Sequence, residues 1–244
     1  MKKKESSMKN FLTLLFVLAL GVIGYYGYEY FVDSEEPKTE YVTVNGVKFK
    51  MVKVDGGTYT KGSGSTANQV SVSSFSIGAT EVTQELWMAV MGSNPSFFSS
   101  ENNYKDGLDN MQRPVESFSW SDCRTFISKL NKLTGKKFRL PKEAEWEFAA
   151  RGGNKSRNYT YSGGNEIYST TWYLHNASNR THPVATKSIN ELGLFDMSGN
   201  VEEICEDSRS GHGGSWCSYQ SACYPSSRTS ITCPDERVGF RLAL

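Results

Sequence analysis

The segment FRLPKEAEWEFAARGG, residues 138–153, carries the densest structural grammar in this chain. Pro141 suits a helix entrance, because the N–H it lacks would have no partner in the first turn. Glu143 and Glu145 suit the positive end of that helix. Trp146 and Ala150 share one face, a helical turn apart. Gly152-Gly153 then ends the repeat. The pattern predicts a short helix over 142–150.

Two more helices lie upstream. One covers Gln84–Met91, capped by Thr83, stopped by Gly92 and followed by Pro95. The other begins at Ser119, with Asp122 as a capping-box-like partner. Its apolar positions Trp120, Cys123, Phe126, Ile127, Leu130 and Leu133 repeat at helical spacing until Gly135. Cys123 on that stripe reads as a buried small hydrophobe. Residues 47–60, VKFKMVKVDGGTYT, alternate apolar and polar on either side of Gly56-Gly57, a hairpin signal. Residues 62–68 read as a surface loop and 70–77 as one strand. After Gly153 the pattern loosens into turns and short extended pieces. A last strand is expected over Val238–Ala243. The expected fold class is α+β, with short helices, short strands and long loops in one domain. Long loops must still satisfy their polar backbone, and a bound cation is one common solution.

The N-terminus reads separately. Lys2, Lys3, Lys4 and Lys9 precede an uncharged apolar run from Phe11 to Tyr28. As a helix that run rises about 27 Å, close to the hydrocarbon thickness of a bilayer. Tyr25, Tyr26 and Tyr28 sit where an aromatic belt would lie. Asp33, Glu35 and Glu36 follow. The expected organisation is a cytoplasmic basic segment (1–10), a transmembrane signal anchor (11–31), a linker with a first strand (32–46) and the folded domain (47–244). A cleaved signal peptide is the alternative with the same orientation, but no A-x-A site follows the run. The membrane is therefore one expected partner, through this helix.

Composition narrows the function classes. The chain has 244 residues and a net charge of +1, so nothing in it asks for nucleic acid. There are 5 cysteines, an odd count, and the compartment inferred from the anchor permits disulfides. The 3 histidines, His175, His182 and His212, lack metal-ligand spacing.

Several separated segments point one way. They are MVKVDGGTYTKGS (51–63), EVTQELWMAVMG (81–92), RPVESFSWSDCRTF (113–126), the opening segment, GLFDMSGNVEE (193–203), GGSW (213–216) and RVGFRLAL (237–244). Together they resemble the formylglycine-generating enzyme, or sulfatase-modifying factor, family. The resemblance runs from about Met51 to Leu244. It implies a complex C-type-lectin-like fold. The family includes copper-dependent oxidases, mercaptohistidine-synthesis enzymes, secretion and gliding components, and retroelement-diversified binding proteins. Membership alone does not choose among them.

Asp196 to Glu203 is acidic, oxygen-rich and turned at a glycine, as a calcium site needs. The resemblance implies ligation by the side chains of Asp196 and Glu203 and by backbone carbonyls of Gly199 and Val201. It also exposes departures. The family usually reads G-N-x-W-E-W, and here Glu202 and Ile204 replace both tryptophans. The family's oxidases hold Cu(I) between two thiolates, a soft pair for a soft ion. Cys223 matches the second position, but Ser218 stands at the first, with Cys217 one residue early. Ser215 matches a serine near the reacting centre. If copper chemistry held, Cys223, Cys217 and Ser215 would carry it. Otherwise the expected function is ligand binding outside the cytoplasm, to a protein or glycan. The contact surface would be the C-terminal loop, through Trp216, Ser218, Tyr219, Gln220 and Tyr224. That loop is rich in residues suited to adaptable recognition, and it resembles the tail that diversity-generating retroelements vary. A structural role in a secretion or gliding apparatus is a third expectation.

Overall fold

Asn45 and Gly46 both adopt left-handed backbone, with φ of 46° and 85°. Two such residues make a tight turn whose twist matches the strands it joins. The strands are β1 (Thr39–Val44) and β2 (Val47–Val54), antiparallel from Thr39↔Val52 to Val44↔Val47. Three more follow: β3 (Gly57–Lys61), β4 (Asn68–Val72) and β5 (Phe75–Gly78). β5 joins the free side of β2, giving the order β1-β2-β5, while β3 and β4 pair with each other. A computed structural model describes residues 37–61, 67–100, 102, 104–208 and 210–244. The basic segment, the expected anchor and most of the 62–68 loop lie outside the described residues. Among the described residues no helix is long and apolar enough to cross a membrane.

The hairpin expected at Gly56-Gly57 does not form. β2 and β3 belong to different sheets. Gly56 is needed for a close approach instead: a Cβ there would lie 2.5 Å from the Val72 carbonyl oxygen. The single strand expected over 70–77 is likewise two, divided at Ser73-Ser74. The Ser74 hydroxyl accepts the Gly56 N–H at 2.9 Å. The true hairpin signal was Asn45-Gly46, inside the segment read as linker and first strand.

The three expected helices form. Helix α1 is Gln84–Met91, with Thr83 accepting the Leu86 N–H and Gly92 closing the end. Helix α2 is Trp120–Thr134, and both bonds of the Ser119/Asp122 capping box are present. Helix α3 is Glu143–Ala150. Its Glu145 accepts the Lys142 N–H at 2.8 Å and a two-point ion pair from Arg139. A single turn, α4 (Ile167–Thr170), lies in the loop-rich region. A last sheet contains β6 (Glu202–Ile204), β7 (Ser210–His212), β8 (Arg228–Ser230) and β9 (Val238–Gly239), in the order β8-β7-β6-β9. The expected terminal strand is thus shorter. Past Gly239 the chain leaves the ladder and bridges, at Ala243, to both Ile77 and Arg139.

Aromatic side chains fill the core, since each removes a large area from water. Trp87 stacks on Phe126 with ring centres 5.0 Å apart and meets Phe118 and Phe240 at 5.5 and 6.1 Å. Cys123 is fully enclosed in this cluster. A second cluster gathers Val52, Ile77, Phe148, Leu194 and Met197 around Trp146. The functional segments hang from this second cluster and the last sheet.

Candidate functional site

The turn from Asp196 to Glu203 is held by charge that has been taken out of water. Glu203 and Arg241 are 1% and 0% exposed. Arg241 donates to Glu203 Oε2 through Nε at 2.6 Å and to Oε1 through Nη2 at 2.6 Å. Trp146 Nε1 donates to the same Oε2 at 2.8 Å. Arg241 also reaches the carbonyls of Gly78 and Phe195. One guanidinium therefore ties β5, the 193–203 segment and the C-terminus together. Glu81 is buried beside them. It accepts the Asn200 amide at 2.7 Å and the Val201 N–H at 3.2 Å. Burial, and then the nearby Asp196 and Glu203, raise the Glu81 carboxyl well above its usual range.

Asp196 completes this centre. Its φ is 56°, and its Oδ2 accepts the Ala185 N–H at 2.7 Å. Its Oδ1 is buried and has no hydrogen-bond partner. Burial pushes its carboxyl up to about 6. Three carboxylates thus face one guanidinium, and one oxygen is left bare. That bare oxygen fits a hard cation, which takes carboxylate ligands. On Glu203 Oε1 the Arg241 bond leaves one of the two lone pairs open. Gly199 and Val201 lie between these acids in the chain and flank Asn200. Among the described residues no three His, Cys, Asp or Glu side chains converge as a metal centre. A calcium shell of two carboxylates and two carbonyls would not require such a cluster. The acids present therefore fit the ion.

The C-terminal loop leaves this centre directly. The Trp216 N–H donates to the Asn200 carbonyl at 2.8 Å. Gly214 has φ of 72°, and a Cβ there would lie 2.9 Å from Cys223 Sγ. Only glycine lets the loop close over that thiol. Ser215 is fully enclosed. Its N–H donates to Ser218 Oγ at 2.9 Å, and its hydroxyl lies 3.1 Å from Ser218 Oγ and 3.6 Å from Cys217 Sγ. Ser218 in turn donates to Glu202 Oε1 at 3.4 Å. The Ser198 hydroxyl pins the Cys223 carbonyl at 2.8 Å.

This donor set does not fit a two-thiolate copper centre. Ser218, at the first ligand position, is a hydroxyl already bonded to Ser215 and Glu202. Cys223 is fully buried beneath Gly214, and burial pushes its thiol up to about 12. Cys217 is half-buried against Ser215. All five cysteines are free, so the disulfide alternatives for Cys223 are not formed.

Of the residues expected to contact a ligand, the structure divides two from three. Tyr219 is 69% exposed, and Gln220 is exposed beside it. Ser218 is drawn inward. Trp216 is half-buried, edge-on to Phe98 at 5.5 Å, with its Nε1 donating to the Glu236 carbonyl. Tyr224 packs on Tyr161.

Sequence reasoning did not assign Arg241, Glu81 or Asn200 to this site. The usable signal was Arg241 itself, a charged residue among apolar ones in RVGFRLAL. A buried arginine needs a carboxylate partner.

A model of the sulfatase-modifying factor enzyme 1-like domain matches residues 34–244. The chain is 35% identical over 206 residues to chaperone protein LppX of Paenibacillus barcinonensis, covering 64% of this chain and 70% of that protein. It is 33% identical over 135 residues to the formylglycine-generating enzyme of Thermomonospora curvata, covering 50% of this chain but 41% of that enzyme. Among solved structures, Treponema denticola variable protein 1 superposes with a TM-score of 0.75 at 30% identity, covering 85% of this chain and 99% of that one.

Proposed function

We propose, since the chain belongs to the sulfatase-modifying factor enzyme 1-like domain family, that it is a binding or display module on that scaffold. The observation that carries this reading is the contrast within one loop. Tyr219 and Gln220 project from a backbone fixed by buried serines, while the Ser218 hydroxyl and the buried Cys223 stand where an oxidase needs two thiolates. The likeness to a variable protein favours the same reading. The ligand is a protein or glycan outside the cytoplasm, met by the C-terminal loop surface. The domain is held at the membrane by the N-terminal apolar run. Calcium, bound by Asp196 and Glu203, would add positive charge where three carboxylates crowd one guanidinium. It stiffens the scaffold and takes no part in chemistry. The loop is a segment that a diversity-generating retroelement would vary, and a template repeat beside the gene would support that.

Two measurements test the module. The protein is mixed with Cu(I), oxygen and a cysteine-bearing sulfatase peptide, and mass spectrometry follows the cysteine. No formylglycine is expected, and turnover would sink the binding reading. In parallel, wild-type protein and a variant with Tyr219 and Gln220 both changed to glycine are compared on arrays of surface proteins and glycans. Signals present for the wild type and absent for the variant are expected.

A further inference from the structure

Away from the loop surface, the end of the last sheet meets α2. The β6–β7 turn and the exit of β8 lie at the same end of that sheet, because Ser210 pairs with Ser230. Between them and α2 runs a cleft of about 650 Å³, lined by Trp120, Arg124, Glu206, Ser208, Ile231 and Cys233. A second cleft, of about 580 Å³, continues it past Ile127 to Phe138 and Leu140. The two share Trp120, Arg124 and Glu206. Together they form one groove along α2 from Trp120 to Asn131. That stretch of helix is about 16 Å long, the reach of about five extended residues.

The groove's chemistry is unusually simple. Trp120, Ile127, Phe138, Leu140 and Ile231 give it apolar walls. Most of its polar groups are already engaged. The Asn131 amide is used on both sides by the Phe138 backbone. Asp207 accepts the Glu143 N–H at 2.7 Å. Arg139 is paired at two points with Glu145. Arg124 and Glu206 remain, with the exposed Asp207 carboxylate beside Glu206 adding a second negative charge at the same end. Arg124 and Glu206 are exposed and close no ion pair among the described residues, although Glu206 does add to the field on the Arg139 guanidinium. A purely anionic ligand would meet Glu206, and a purely cationic one would meet Arg124. A ligand with both signs around an apolar body complements the basic and acidic ends of the groove and its apolar walls.

We propose that this groove binds an extended peptide segment carrying one acidic and one basic side chain on either side of an apolar residue. The acid meets Arg124, the base meets Glu206, and the apolar side chain settles on Trp120. The site is independent of the loop around Tyr219 and does not rest on the function proposed for it.

The test uses the full-length protein and acetylated, fluorescein-labelled peptides read by anisotropy. The probes are Glu-Ala-Phe-Ala-Lys and its reverse, with all-acidic, all-basic and Gln-for-charge versions as controls. At least one mixed-charge peptide should bind more tightly than every control and weaken at high salt. Arg124→Gln and Glu206→Gln, both at exposed positions, should each weaken it by about threefold, and Trp120→Ala should remove it. Tyr219→Ala should leave it unchanged. Equal binding of all the peptides, or of none, overturns the proposal. So does preference for a neutral oligosaccharide such as maltohexaose, or affinity unmoved in folded Arg124→Gln and Glu206→Gln proteins.

Discussion

The buried centre at Arg241 and the exposed face at Tyr219 are joined through Asn200 and Trp216, yet they carry opposite numbers of constraints. Around Arg241, four donor–acceptor contacts fix one guanidinium that is itself fully enclosed with its Glu203 partner. At Tyr219 the side chain is 69% exposed. The difference shows how this scaffold separates stability from recognition. The backbone of residues 213–218 is set from beneath, so the side chains above it are free to change. The largest effect should come from breaking the buried side. Arg241→Ala would leave Glu203 charged, enclosed and unpaired beside Glu81 and Asp196. A loss of about 3–5 kcal/mol is expected in denaturant unfolding. A loss below about 1 kcal/mol would mean that this guanidinium does not tie the three segments together.

The next effect is ionic. In the folded protein the Asp196 carboxyl is raised from 3.8 to about 6 by burial. A raised acid binds its proton more tightly when folded, so the cost of this burial is absent below about pH 4 and complete above about pH 6. Calcium should offset that cost only where Asp196 is ionised. The rise in melting temperature on adding calcium should therefore be larger at pH 7 than at pH 5, and worth about 3 kcal/mol at hundredfold excess over Kd. Reading the difference with and without calcium at each pH cancels His212, which burial pushes down to about 4 and which titrates in the opposite sense. Asp196→Ala should erase the calcium response. An equal response in that variant would place the ion elsewhere.

What the sequence disclosed follows the same division between local and distant causes. Helices α1, α2 and α3 were legible because their caps and apolar repeats lie within the helix itself, as with Thr83, Ser119 and Asp122. The strands were legible only in part. Gly56 looked like a turn residue, but its reason is the Val72 carbonyl in another strand. Ser73-Ser74 separates two strands that join different sheets, β4 pairing with the adjacent β3 and β5 with the more distant β2. The acids Asp196 and Glu203 stood out in an acidic, glycine-turned segment, and the family resemblance singled them out. Their counter-ion was not legible, because Arg241 lies 38 residues beyond Glu203 and reaches it only in the folded state. The shift of Ser218 into a copper position was visible, whereas its bonds to Ser215 and Glu202 needed coordinates.

The smallest stability effect is the most informative about the exposed face. Tyr219 begins the short turn Gln220–Cys223, but its own side chain caps nothing. Its backbone carbonyl takes the weak Cys223 thiol contact at 3.7 Å and the Ala222 N–H at 2.9 Å. Replacing the side chain removes none of these bonds. Tyr219→Ala should therefore change unfolding free energy by less than about 0.5 kcal/mol, the range of ordinary surface substitutions. Gly214→Ala, five positions earlier, would force a Cβ against Cys223 Sγ and a side chain into left-handed backbone, and it should be far more costly. If the two variants destabilised the protein equally, the loop would be a packed unit rather than a fixed backbone with free side chains. Substitutions at Tyr219 and Gln220 would then alter ligand binding through folding as well as through contact.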